Sequence, residues 1–392
     1  MIKKVFPILA ISIFSCMLGS GIVVPLLPLY AESLGATGIW LGAIFAGFSV
    51  SRTLFTPVFG RLSDRSGRKR FIGVGLFTYA VISFGFIWAD SVLLLVLIRF
   101  VHGITSAMIL PIAQAYIGDI APEGEEGRWM GYSNAAFFSG FGFGPLLGGV
   151  GTEYLGMDAA FLAMGGLNFL AFFIVVFFLP EISRRKLTAA PRPSFREMGK
   201  SGTMKGLFSF RLALTFGRSA FSTFLPIFAA TVIGLRPALI GTILAIYMLR
   251  AALLGIPSGR LADRYSRRTL VALGGMVSFA YLALVPLSHA FWHLLMLGTL
   301  GSLGSAMAMS AATALTVEEG RKFGMGSTIA VFNVALSIGM AAGPLFGGAV
   351  VDYTGINSVF YFGALMTVAG AGLFVWFTRS SASSTSATRL SS

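Results

Sequence analysis

The chain has 392 residues, of which 56% are hydrophobic and only 11% charged, with a mean hydropathy of +0.83. Soluble domains run at roughly 45–50% apolar and about 25% charged, so this balance excludes a soluble fold. The net charge of +14 comes with a single cysteine, Cys16, which excludes an intramolecular disulfide framework and any multi-cysteine metal site.

The apolar residues fall into twelve blocks, at about 5–30, 39–59, 71–88, 92–118, 129–152, 159–179, 206–233, 238–258, 269–288, 291–316, 325–351 and 356–378. A helix needs ~20 apolar residues to cross a hydrocarbon core of ~30 Å, and each block is of that order. The expectation is an all-α polytopic membrane protein with twelve transmembrane helices. Lys3-Lys4 before an apolar run fits a signal peptide, but the run is long and no small-x-small cleavage site follows, so it reads as the first span.

The basic residues are distributed with a bias. With the N-terminus inside, the inner connections hold 23 of the 29 Lys and Arg, while the outer ones hold only Arg236. That is the positive-inside pattern, which accounts for the net charge without nucleic acid and puts both termini in the cytoplasm.

In chain order, the first span ends in Val24-Pro25-Leu26-Leu27-Pro28, where paired prolines are expected to bend the helix. Glu32 follows, either as a solvated helix-end carboxylate or as a proton acceptor. The second span carries Arg52, with Ser49 and Thr56 on its face. It runs into Gly60-Arg-Leu-Ser-Asp64-Arg65-Ser-Gly67-Arg68-Lys-Arg70, eleven residues with six charges. Positive charge alone would orient a loop. The added Asp64 and glycines suggest a latch between helices, with Gly60 allowing close approach to a neighbour.

The fourth span places Arg99, His102 and Ser106 on one face, with Gln114 beside it and Asp119 at the end. A buried arginine costs at least ~2.5 kcal/mol at mid-membrane, so Arg99 should face a cavity or a partner. His102 is either a neutral packed ring or a proton carrier. The fifth span holds Asn134 and then Gly140-x-x-x-Gly144-Pro145-x-x-Gly148-Gly149, a smooth groove with a proline in it, read as a bendable seam. Residues 181–205 form a basic linker, with a short amphipathic piece possible within it. The seventh span carries Arg211, Thr215, Arg218 and Ser222 as a polar stripe, where Arg211 can snorkel to the interface but Arg218 is deeper. The eighth carries Arg250. The Ser/Thr-rich tail, 379–392, is expected to be disordered.

Two motifs recur at one spacing. Gly60 and Asp64 return 199 residues later as Gly259 and Asp263, with Arg264 as the copy of Arg65. The glycine–proline groove returns at the same offset as Gly339-x-x-x-Gly343-Pro344-x-x-Gly347-Gly348, and Asn134 returns as Asn333. The chain is therefore a tandem repeat, expected as two pseudo-symmetric six-helix bundles, 1–180 and 206–378, joined by the linker.

These motifs resemble those of the major facilitator superfamily over nearly the whole length. Residues 60–70 are similar to its loop 2–3 signature, Leu97-x-Arg99-x-x-His102-Gly103 to its helix 4 signature, and 140–149 to its helix 5 antiporter signature. Val24-Pro25-Leu26-Leu27-Pro28 resembles an element of the twelve-helix drug:proton antiporter branch. The resemblance implies two bundles around a central cavity, alternating access and proton-coupled export. The chain departs from the pattern in three places. His102 stands where glutamine is usual, Ser266 stands where Gly67 would repeat, and no carboxylate lies inside a span, as it does in branch members that export lipophilic cations.

Four or five arginines within spans, without an intramembrane acid, are expected to make an electropositive cavity, suited to anionic, zwitterionic or neutral solutes over cations. Expected substrate contacts are Arg52, Arg218, Arg250, Asn134, Asn333 and Gln114. Expected coupling residues are Arg99, His102, Asp119 and Glu32. Uptake of an anionic metabolite is the alternative. A membrane enzyme is disfavoured, since no nucleophile–base pair, metal-ligand cluster or phosphate loop is present, and a receptor would not require arginines in several helices. The expected partners are a small-molecule substrate, protons and lipid, with no cofactor or metal, in a monomer.

Overall fold

The computed structural model describes residues 2–122, 125–181, 195–323 and 325–389, and every long regular element among them is an α-helix. In order these are α1 (Ile2–Ser33), α2 (Gly38–Ser66), α3 (Arg68–Gly85), α4 (Val92–Ile120), α5 (Glu126–Leu155) and α6 (Met157–Phe178). After the one-turn α7 (Phe195–Met198) come α8 (Gly202–Thr231), α9 (Pro237–Arg264), α10 (Arg267–Leu284), α11 (Phe291–Phe323), α12 (Met325–Thr354) and α13 (Ile356–Arg389). Twelve are long, one for each apolar block. Eleven combine the length and hydropathy of a membrane span. The twelfth, α5, is as long, but glycine, serine and asparagine dilute its hydropathy. A helix satisfies its own backbone in hydrocarbon, which is why such a sequence has no other regular choice. Leu54, Phe177, Leu253, Ile256 and Trp376 are exposed, as residues facing lipid would be.

The residues divide into two compact units, Met1–Leu187 with Leu225–Leu249, and Thr188–Phe224 with Arg250–Ser392. In the first, α1 packs on α5, α2 on α4, and α3 on α6 and α4. Glycines set the α1–α5 crossing. A Cβ at Gly140 would lie 2.5 Å from the Phe14 carbonyl oxygen, one at Gly144 2.6 Å from that of Leu18, and one at Gly148 2.8 Å from that of Ile22. Segment 225–249 joins this unit through α5, because Gly149 and Gly241 let backbones meet where larger residues would not. Glu153 closes the contact by accepting from the Ala238 amide at 3.1 Å and pairing with Arg236 at 3.7 Å. The unit boundary thus runs through α8 and α9 as well as the linker, unlike the simple division at 181–205.

In the second unit α10 packs on α11 and α13, and α12 on both as well. The copied groove behaves as its original does, with Gly339 and Gly343 set against α8 at Leu212 and Phe216. Phe210, Leu270, Ala308 and Phe374 are in the apolar core.

Pro25 and Pro28 lie within one continuous α1, and Pro145 and Pro344 within α5 and α12. Two other readings change in detail. A Cβ at Gly60 or Gly259 would meet nothing within 4 Å, so neither glycine serves a close approach. The tail continues α13 to Arg389, since no glycine or proline after Gly372 stops the helix. Linker residues 182–194 lie outside the described residues. Its far end is anchored where Ser201 accepts from the Met204 amide and donates to the buried Glu319 at 3.0 Å.

Candidate functional site

The polar centre of the first unit is built on α4. Arg99, His102 and Ser106 share a face, as their spacing requires, and all three are buried. Gly103 brings α2 against this face, because a Cβ there would overlap Ser51 and the Phe48 carbonyl. The guanidinium carbon of Arg99 lies 4.2 Å from the centroid of the Phe48 ring, a cation–π distance. Its Nη1 is 3.1 Å from His102 Nδ1. A guanidinium only donates, so Nδ1 accepts, and the imidazole in this arrangement is neutral with its proton on Nε2.

Aromatic rings enclose the imidazole, with Tyr79 at 4.1 Å, Phe48 at 5.4 Å and Phe86 at 5.9 Å between centroids. Tyr79 is fixed in turn by α1, donating to the Cys16 carbonyl at 3.1 Å and meeting Ser20 Oγ at 3.1 Å. Among the described residues, His102 Nε2 and Arg99 Nε are buried without a hydrogen-bond partner, and the buried Ser106 hydroxyl lies by the Cys16 thiol. The centre therefore offers donors and no carboxylate.

The other expected contacts are spread more widely. Arg52 is half-buried on α2, while the hydroxyls of Ser49 and Thr56 donate to their own helix, at Phe45 and Arg52 carbonyls. Gln114 is half-buried, and Asn134 and Asn333 are exposed. Glu32 is exposed in the last turn of α1.

In the second unit, Arg250 donates through Nη1 to the Leu295 carbonyl at 3.2 Å and to Thr299 Oγ1, so α11 holds it. Arg211 does not snorkel. Its Nη1 contacts Met309 Sδ on α11, and its guanidinium carbon lies 4.8 Å from the Phe332 ring centroid on α12. Met309 also lines a cavity of ≈ 450 Å³ between α9 and α11, together with Ser310, Thr313 and Asp263.

The charged helix ends form a separate cluster. Arg68 lies between two acids, 3.0 Å from Asp64 and hydrogen-bonded through Nε to Asp119. Asp119 stands in this cluster and not beside His102. Arg267, 199 residues after Arg68, pairs with Glu318, 199 residues after Asp119. Glu318 is the acid of this pair that sequence reading missed, although the repeat spacing would have found it. Gly67 has φ +95°, and the Glu181 carboxylate sits where its side chain would be. Its counterpart Ser266 instead caps α10 itself, accepting from the Thr269 amide at 3.4 Å.

The profile of the Major Facilitator Superfamily matches residues 9–235 and 207–390, which together span nearly the whole chain. The chain belongs to this superfamily. Among its relatives, an uncharacterised MFS-type transporter of Methanocaldococcus jannaschii is 29% identical over 93% of this chain and 96% of its own length. The quinolone resistance protein NorA of Staphylococcus aureus is 28% identical over 89% of this chain and 90% of its own. In fold, a bacterial homologue of the human lysosomal transporter Spinster superposes with a TM-score of 0.82 at 14% identity, covering 96% of this chain and 97% of that one. The protein is thus a multi-pass superfamily transporter, and not an enzyme. Among the described residues no group of His, Cys, Asp and Glu is arranged to hold a metal.

Proposed function

We propose that this transporter exports a small organic molecule in exchange for protons, taking anionic, zwitterionic or neutral solutes in preference to cations. The carrying observation is the state of the intramembrane arginines. Arg52, Arg99, Arg211 and Arg250 make no ion pair with any described carboxylate. Arg99 is buried and the other three are half-buried; a cation withdrawn from water without a counter-charge repels a second cation and attracts an anion, the more so the lower the dielectric. Similarity to a quinolone resistance protein supports export. Arg52, Arg218, Arg250, Gln114, Asn134 and Asn333 contact the solute in this reading.

Coupling rests on Arg99 and His102. Nδ1 can take a proton only when Arg99 lets go of it, so protonation and movement of Arg99 are linked by geometry. Glu32 and Asp119 are secondary, one exposed at a helix end and the other committed to Arg68. The clusters around Arg68 and Arg267 act as paired latches during alternating access. Both termini lie on the cytoplasmic side of a bacterial-type membrane, in a monomer.

The test is transport into proteoliposomes of size-matched anionic, neutral and cationic dyes, with and without an imposed pH gradient. Gradient-driven movement of anions or neutrals over cations is the expected result. Preferential cation transport refutes the solute class, and movement indifferent to the gradient refutes proton antiport.

A further inference from the structure

Arg211 stands in an unusual environment. It is nine residues from the start of α8, ~13 Å along the axis at 1.5 Å per residue. Its contact Met309 lies fourteen residues from the end of α11, ~21 Å from that helix end. Arg211 thus stands about a third of the way along α8, against the middle of α11.

What surrounds it does not neutralise it. Among the described residues no oxygen accepts a hydrogen bond from Arg211, and its Nε is buried with no partner. A thioether sulfur is only a weak acceptor. Arg211 is half-buried, and the Phe332 face contributes cation–π attraction of about 0.5–2 kcal/mol, less than the several kcal/mol that full desolvation of a cation costs. A purely packing role would be met better by Met or Leu at this position, next to Leu207, Phe210 and Leu214 in the same core.

We propose that Arg211, Met309 and Phe332 form an anion subsite in the second unit, which receives the carboxylate or similar acidic group of an amphipathic organic anion. The planar guanidinium supplies the fork for the acid, and the Phe332 ring and Met309 thioether supply the apolar wall for the body next to it. The cavity lined by Met309, Ser310 and Thr313, and by the Asp263 carboxylate, gives the body of such a solute room beside the group. Arg218 lies two turns further along α8, ~10 Å away on the same face, and gives a longer anion a second contact. This inference rests on the anion preference proposed above and assigns it to a residue outside that reading's contact set.

The test uses the full chain in phosphatidylcholine nanodiscs, which excludes anionic lipid as the occupant. Binding of 1-naphthoate and of its neutral match, 1-naphthylmethanol, is measured by calorimetry with empty discs subtracted. The wild-type protein should favour naphthoate. Arg211→Gln should weaken naphthoate at least tenfold, equivalent to about 1.4 kcal/mol, and leave the alcohol unchanged. Arg211→Lys keeps the charge but loses the planar fork, and should weaken naphthoate several-fold; it decides the matter if Arg211→Gln fails to fold. A wild-type preference that survives both substitutions overturns the subsite and spares the anion reading. Equal wild-type binding of acid and alcohol overturns both. Loss of wild-type naphthoate binding on adding a small fraction of phosphatidylglycerol to the discs would show a lipid phosphate site and also overturn the proposal.

Discussion

Gly67→Ala is the sharpest test of how the charged helix ends are built. Gly67 joins α2 to α3 with φ +95° and ψ 141°, a conformation open to glycine and strained for any L-residue. Strain of this kind costs about 1–3 kcal/mol. The new methyl would also fall on the Glu181 carboxylate, with the Cδ only 2.8 Å away. Glu181 is an exposed side chain and can swing aside, but it then leaves the N-terminus of α3, where a carboxylate is worth about 0.3–1 kcal/mol. The sum is about 1.3–4 kcal/mol.

Two controls isolate the terms. Gly60→Ala, in the same motif but facing open space within a helix, should be neutral or stabilising by up to about 1 kcal/mol. Ser266→Ala, which removes the hydroxyl cap in the second copy, should cost about 0.5–2 kcal/mol with no strain term. Reversible unfolding in mixed detergent micelles reads all three. A Gly67→Ala protein within about 0.5 kcal/mol of wild type, or less stable with Gly60→Ala than with Gly67→Ala, would refute the reasoning.

Neutralising Arg267 or Glu318 should change stability by no more than about 1 kcal/mol, because the pair is partly solvated, yet slow transport, and the equivalent changes at Arg68 or Asp119 should do the same. Unaltered initial rates in proteoliposomes would sink the latch. Gly144→Val should reduce monodisperse yield and lower the unfolding midpoint by overpacking α5 on α1, at a cost of about 1–3 kcal/mol or more. Gly166→Ala, facing open space, is its matched control. His102→Gln should keep solute exchange in the absence of a gradient and lose gradient-driven accumulation. Retained accumulation would remove His102 from coupling.

Much of this architecture is legible in sequence, because a bilayer leaves the backbone few options and the repeat spacing is audible in short motifs. The twelve spans, the α1–α5 groove and the Arg99–His102 face all follow from periodicity that a single helix carries. What sequence conceals depends on neighbours. Arg211 on its own helix can snorkel or turn inward with equal ease, and only Met309 and Phe332, on other helices, decide it. Asp119 reads as a lone acid at a helix end until Arg68 is placed beside it. Gly60 and Gly67 look alike in the motif, but one faces open space and the other a carboxylate.

The two copies also differ in an ordered way. Residues matched at the 199-residue offset are those of the latches and grooves: Arg68 with Arg267, Asp119 with Glu318, Gly144 with Gly343. The residues of the polar centres are unmatched at that offset. Arg99 and His102 correspond to Gly298 and Gly301, and Arg211 and Arg218 to Ser12 and Gly19. Nor are the glycines vacant space. A Cβ at Gly301 would strike the Tyr281 ring at 2.6 Å, and one at Gly19 would meet Met164 at 2.8 Å and Tyr79 at 3.1 Å. Opposite His102 and Arg218 the other copy holds a glycine packed against a tyrosine, so the Arg99–His102 and Arg211–Arg218 pairs stand on non-equivalent helices. Shared mechanical parts and unshared charged parts are what a carrier needs if both halves must move alike while its solute meets a different chemical surface on each side.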